Sequence, residues 1–255
     1  MKLIVNGDDF GITPACNETI IDCYRKGRLT SCSLMTNMPS AEEAAGLWKQ
    51  NPGLSVGLHV CLTAGRPLTR PASLMKEDGT FDKSIWTGGQ AIDLQEMETE
   101  IQAQFDRFVE LTGKKPEHLD SHHGIERIPG AAAIMERLSG KYHIPLRMFM
   151  APEENGPVPF VLPRLCLAGS SDDCLQSPED FVQKLAGQVG DAGWVELALH
   201  PGRADADLAA LSSLCKGREA DAANLLSETF GAFLDRPDVE LSSWRGVPER
   251  TPETN

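Results

Sequence analysis

The stretch LIVNGDDFGITP, residues 3–14, decides how this chain is built. Leu3, Ile4 and Val5 continue from Lys2 as a short apolar run, the mark of a strand buried on both faces. Thr13 followed by Pro14 is a helix start, a hydroxyl at the N-cap and proline at the first helical position, and the helix should run to about Gly27. Between strand and helix stand Asp8 and Asp9. Adjacent carboxylates repel, and neither is buried without a partner. The stretch therefore reads as one strand–helix unit of an α/β fold with two acids at its turn.

The same alternation continues outward. Strands are predicted at 30–36, 53–62, 116–121, 144–150, 193–200 and 238–244. Helices are predicted from Ser40, where Ser40 and Glu43 have capping-box spacing, and over 93–113, 129–140, from Ser177, 205–216 and 218–234. The helix at 93–113 is the clearest, with Leu94, Met97, Ile101, Phe105, Phe108 and Leu111 at steps of three and four. Residues 63–92 read as a long loop of the kind that forms rims or lids, and residues 151–176 as irregular. No linker divides the chain, so residues 1–248 are expected to form one domain with a C-terminal tail at 249–255. Serial strand–helix units imply a parallel sheet, closed as a barrel or open and doubly wound. Right-handed crossovers put every strand's carboxyl end on one face, where active sites of such folds sit.

Composition narrows the function. The 255 residues carry 24 Lys and Arg against 37 Asp and Glu, a net charge of −13. A surface this acidic repels phosphate backbones and anionic headgroups, which argues against nucleic-acid and membrane partners. No apolar run is long enough to span a bilayer, and the N-terminus is too short in apolar residues for a signal peptide. Seven cysteines without a CxxC pair suit a reducing compartment. A cytoplasmic protein is expected.

The predicted strand ends collect the chemistry: Asp8 and Asp9, then His59, then Asp120, Ser121, His122 and His123, then Arg147, then His200. Four of the six histidines fall at these positions. Singly, each has a plain structural explanation: a satisfied loop histidine, a capping aspartate, a structural ion pair. In an extended chain His122 and His123 point to opposite sides, so only one should face the site. Together the residues supply one carboxylate and two imidazoles from different strands, a three-ligand metal site with a position left open for water. Such N and O donors suit zinc and several other divalent ions. With Asp9 on the metal, the repulsion between the two acids is relieved. Asp8 is then free as a base, His200 as an acid, and Arg147 holds Asp8 ionised. The chemistry is metal-assisted hydrolysis.

The motifs LIVNGDDFG, GLHVCLTAGRPL, KPEHLDSHHG, PLR and ELALHPG resemble, in this order, those of the YdjC-like carbohydrate deacetylases of the ChbG and HpnK types. The resemblance implies an irregular, TIM-barrel-like (β/α) barrel with about seven parallel strands. It implies one divalent metal ion, magnesium or zinc, held by Asp9, His59 and His122, and removal of an acetyl group from an N-acetylated sugar or oligosaccharide. Similarity to NodB-type polysaccharide deacetylases makes Asp8 the base and His200 the acid, and the family implies a homodimer. The chain departs from the family at DSHHGIER, where Gly124 and Glu126 replace histidines of a DSHHHVH pattern, leaving the sugar open. Trp86 is a candidate sugar platform, against local packing as the plainer reading. The alternatives are a metal-dependent phosphoesterase or amidohydrolase on the same fold, and a sugar-binding protein without catalysis. A phosphatase would gather cationic donors, and only Arg147, Arg66 and Arg203 are expected near the face. Mere binding needs neither Asp8 nor His200.

Overall fold

A computed structural model describes residues 1–88, 91–147, 160, 163–190 and 192–249. β1 (Lys2–Phe10) runs further than the apolar triplet predicts and carries Asp8 and Asp9 within it, and every residue after Lys2 is buried. α1 (Pro14–Arg25) follows, with the Thr13 hydroxyl accepting from Cys16 N at 3.3 Å. Then come β2 (Ser31–Leu34), α2 (Ala41–Lys49), β3 (Ser55–Val60), α3 (Leu94–Thr112), β4 (Leu119–Ser121) and α4 (Ala131–Tyr142). The chain continues as β5 (Arg164–Cys166), α5 (Pro178–Val189), β6 (Trp194–Leu199), α6 (Ala206–Leu211), α7 (Lys216–Leu226), α8 (Glu228–Leu234) and β7 (Glu240–Ser242).

All strand pairs are parallel, in the order β4-β3-β2-β1-β6-β5. Lys2 pairs Trp194 of β6 on one side and Glu240 of β7 on the other, while farther along β1 Asn6 pairs Ser31 of β2. β7 and β2 therefore share one edge of β1, which lies at the centre of a curled seven-stranded sheet. This is the α/β, barrel-like architecture that the resemblance implies, and it places the ends of β1, β3, β4 and β6 on one face.

Two local predictions are corrected. The described part of the predicted fifth strand, residues 144–147, forms no strand. Among those residues only Leu146 bridges Leu119, through Leu119 N to Pro145 O and Arg147 N to Leu119 O at 2.8 Å each, and 148–150 lie outside the described residues. The fifth strand is Arg164–Cys166, inside the stretch read as irregular; a three-residue strand with only Cys166 buried carries no periodicity to detect. Ser40 makes no side-chain cap, because its backbone (φ −101°, ψ 19°) is not extended, and Glu43 accepts from Asn17 Nδ2 at 2.9 Å instead. Most of the tail, 250–255, lies outside the described residues.

The loop after β3 is packed: Leu74, Phe81 and Ile85 are buried. α3 holds it. Glu100 accepts from Leu68 N (3.0 Å), Thr69 N (2.8 Å) and Thr69 Oγ1 (2.5 Å), and Gln104 satisfies both N and O of Cys61. These two polar side chains are fully buried on the face of α3 that otherwise shows its apolar stripe. Among the described residues no helix is long and apolar enough to cross a membrane.

Candidate metal centre

In a regular strand neighbouring side chains point to opposite faces. Asp8 and Asp9 nevertheless both serve one site, because β1 is distorted there. Its register with β2 shifts between Gly7 and Phe10, and Asp9 has φ 65°, a left-handed conformation that a non-glycine residue adopts only under constraint.

Asp9 Oδ1 lies 2.9 Å from His122 Nδ1 and 3.2 Å from His59 Nε2, and one ligand atom from each of the three residues lies within 4.8 Å of the other two. All three residues are buried. Burial opposes charge on Asp9, but His122 and Arg218 beside it hold its carboxyl well below the usual range. The His59 ring is aimed from behind: its Nδ1 is 2.7 Å from Asp120 Oδ1. Asp120 stays ionised despite burial, held far below its ordinary value by Arg147 and His59. An ionised carboxylate only accepts, so Nδ1 carries the hydrogen and Nε2 faces Asp9.

Two oxygens thus flank one imidazole, a position that demands positive charge. Burial disfavours charge on His59, yet the carboxylates of Asp120, Asp9 and Asp8 outweigh it and raise its pKa to about 10. A divalent cation among Asp9, His59 and His122 meets the same demand with a neutral imidazole as donor. A carboxylate behind a ligand histidine is the usual way such a ring is oriented. The donor set therefore fits a catalytic ion with three protein ligands. Two other acid–histidine clusters among the described residues, Asp8–His59–Asp120 and His118–Asp120–Glu196, share Asp120, whose charge is already met by Arg147.

Asp8 receives Arg147 through both nitrogens, Nη1 to Oδ1 at 3.0 Å and Nη2 to Oδ2 at 2.9 Å, and Asn6 Nδ2 donates to its Oδ1 at 2.7 Å. Burial pushes the Asp8 carboxyl up to about 6 against the pull of Arg147, a value suited to a base working near neutrality. Arg147 also pairs with Asp120 and reaches Glu196 at 3.3 Å, so one guanidinium ties Asp8 to the support of His59. His200, at the end of β6, places Nε2 4.0 Å from Asp8 Oδ2. Its side chain is 34% exposed at the cleft, and desolvation of the part packed into the site holds the imidazole below the usual value.

Residues 2–236 match the YdjC-like protein family. The chain belongs to that family. It is 36% identical over 257 residues to carbohydrate deacetylase 2 of Listeria innocua, covering 98% of this chain and 100% of the other. It is 33% identical over 252 residues to the chitooligosaccharide deacetylase of Serratia marcescens, covering 96% and 98%. A crystal structure of an Enterococcus faecalis protein named for cellobiose-phosphate cleavage superposes with a TM-score of 0.84 at 26% identity, covering 95% of this chain and 97% of that one. A family 4 carbohydrate esterase of Streptomyces lividans shares the fold, with a TM-score of 0.54 at 12% identity over 99% and 98% of the two chains.

The six YdjC-motif residues singled out from the sequence, Asp8, Asp9, His59, His122, Arg147 and His200, thus meet at one place. The prediction for the adjacent histidines is corrected. His123 (φ 61°) and Gly124 (φ 63°) are both left-handed, so the chain is not extended there. The His123 ring lies 3.7 Å from that of His122, tilted 35° to it, and joins it in the cleft wall, with Nδ1 2.9 Å from Thr63 Oγ1. A second left-handed residue in a row explains glycine at 124. Glu126 is buried in a hydrogen bond from Ser121 Oγ, away from the cleft lining. The cleft, about 390 Å³, is lined by Asp9, His122, His123, His200, Lys83 and Arg218 among others. Arg66 and Arg203 do not line it: Arg66 donates to the Asp78 carbonyl and Arg203 pairs with Glu18 at 3.6 Å.

Four supporting residues escaped sequence reasoning in this YdjC-like chain. Asn6 Nδ2 bridges Asp8 and Ser33 Oγ, and Ser33 Oγ donates to Asp120 Oδ2 at 2.5 Å. Arg218 Nη2 donates to Asp9 Oδ2 at 2.6 Å, and Asp221 accepts from His200 N at 3.0 Å. The last two left a signal: the buried face of α7 carries Arg218, Asp221 and Asn224 at steps of three, where a packed helix would show an apolar stripe.

Proposed function

We propose that the chain is a metal-dependent carbohydrate N-deacetylase. The observation that carries this is the convergence of Asp9, His59 and His122 donors within 4.8 Å of one another, with the Arg147-held Asp8 at the adjacent position. The deacetylase names of relatives at 33% to 36% identity over nearly the whole chain support it. A divalent ion of the magnesium or zinc class held there polarises the acetyl carbonyl and acidifies water. Asp8 takes a proton from the attacking water as its oxygen bonds to the acyl carbon. His200 gives a proton to the nitrogen as the C–N bond breaks, releasing acetate and a free amine. Arg147 keeps Asp8 ionised and oriented through two hydrogen bonds. Trp86, 39% exposed and with its ring 6.2 Å from that of His123, stands where a sugar ring would stack. Buried free thiols and an acidic surface suit the cytoplasm.

The test is acetate release from a panel of N-acetylglucosamine oligomers, with and without chelator. Chelator-sensitive acetate release is expected. Absence of acetate from metal-loaded protein across the panel would overturn the proposal, and phosphate release from sugar phosphates in its place would establish the phosphoesterase alternative.

A further inference from the structure

Two charged side chains outside the proposed acid, base and ligands touch the ligand set: Asp120 behind His59, and Arg218 beside Asp9. Arg218 stands in the first turn of α7 and is 2% exposed. Its Nη2 donates to Asp9 Oδ2 at 2.6 Å and reaches Ser212 Oγ at 3.3 Å, and its Nε donates to Leu214 O at 2.9 Å. Its Nη1 is buried without a hydrogen-bond partner. An unmet guanidinium N–H lowers stability, so folding alone does not account for the placement. The result is a carboxylate divided in two. Oδ1 of Asp9 faces His59 and His122, while Oδ2 faces Arg218.

We infer that Arg218 is a positioning residue that shares Asp9 with the metal ion, occupying Oδ2 so that Asp9 offers the ion one oxygen. The inference rests on the metal-centre reading above. Two consequences follow from charge and geometry. Arg218 neutralises Asp9 in the metal-free protein and so holds the carboxylate in its ligating orientation before the ion arrives. It also places a positive charge beside the ion, which weakens ion binding, and it withholds a second carboxylate oxygen that would otherwise fill a coordination position needed by water or substrate.

The test titrates metal-free full-length protein with zinc and, separately, with cobalt. Arg218→Met removes the charge and keeps the length of the side chain. It should bind zinc at least about tenfold more tightly than the parent, since the competing cation is gone. Its cobalt form should absorb visible light more weakly, because a two-oxygen Asp9 raises the coordination number. Arg218→Lys keeps the charge and should stay near the parent in zinc affinity. Damage to α7 would weaken binding, so a gain in affinity separates this role from a merely structural one. Unchanged or weaker zinc binding by folded Arg218→Met overturns the inference, and Arg218→Gln carries the same test should the methionine variant not fold. A parent protein that binds neither zinc nor cobalt overturns the metal centre itself, a distinct result.

Discussion

Asp120 never faces the cleft lining, yet the site depends on it: its Oδ1 fixes the His59 tautomer and its Oδ2 takes Ser33 and Arg147. Asp120→Asn leaves a neutral partner behind His59, and metal affinity should fall by about 10- to 100-fold, measured by zinc titration. The ligands themselves are a sharper case. His59→Ala or His122→Ala should remove bound metal and acetate release together, and metal retained at full stoichiometry would refute the ligand assignment. Asp8 and Asp9 are neighbours with opposite surroundings, one clasped by Arg147 and the other by His122, His59 and Arg218. Asp8→Asn should therefore keep the metal and lose about 10²- to 10⁴-fold in turnover, as expected for removal of a general base. Loss of metal in that variant would mean that the two aspartates exchange roles.

Whole elements aim these side chains. β1 alternates faces until its distortion at Gly7–Phe10, and only that irregularity lets both acids serve one site. The loop after β3 depends on α3 in the same way. Glu100→Ala would leave Leu68 N, Thr69 N, Thr69 Oγ1 and Gln104 Nε2 without their shared acceptor. A loss of at least about 2 kcal/mol in urea unfolding is expected, because stranded donors forfeit their solvation. α7 inverts the usual rule for a buried helix face by spending it on Arg218 and Asp221, which reach Asp9 and the His200 backbone. Hydrophobic periodicity finds a helix like α3 readily and says nothing about what a face such as that of α7 touches.

At the scale of the molecule, Asp8, Asp120 and Glu196, from three different strands, gather around the one guanidinium of Arg147. Burial pushes Glu196 up to about 8 from an ordinary 4.5, against the pull of Arg147. A carboxyl raised in the folded state favours folding while protonated, so its contribution is full below pH 4.5 and is lost as pH rises toward about 8. Glu196→Gln, which keeps an acceptor for Trp244 Nε1, removes that loss. Its stability relative to the parent, read by urea unfolding, should rise between about pH 5 and about pH 9. Metal acts on the whole fold as well. Zinc at about 100 times its dissociation constant should add about 2.7 kcal/mol to the folded state, a rise of roughly 5–10 °C in Tm that chelator abolishes. Local information in the chain was enough for the strand–helix alternation, the parallel sheet and the six motif residues, because periodicity, caps and charged strand ends are written in short windows. It was not enough for the fifth strand, whose three residues exist as a strand only through pairing with β6. Nor could it show that His123 turns back onto His122, or that Arg218 crosses 209 positions to reach Asp9. Those contacts join segments with no local signal of each other, and burial against one another is what sets their geometry and charge.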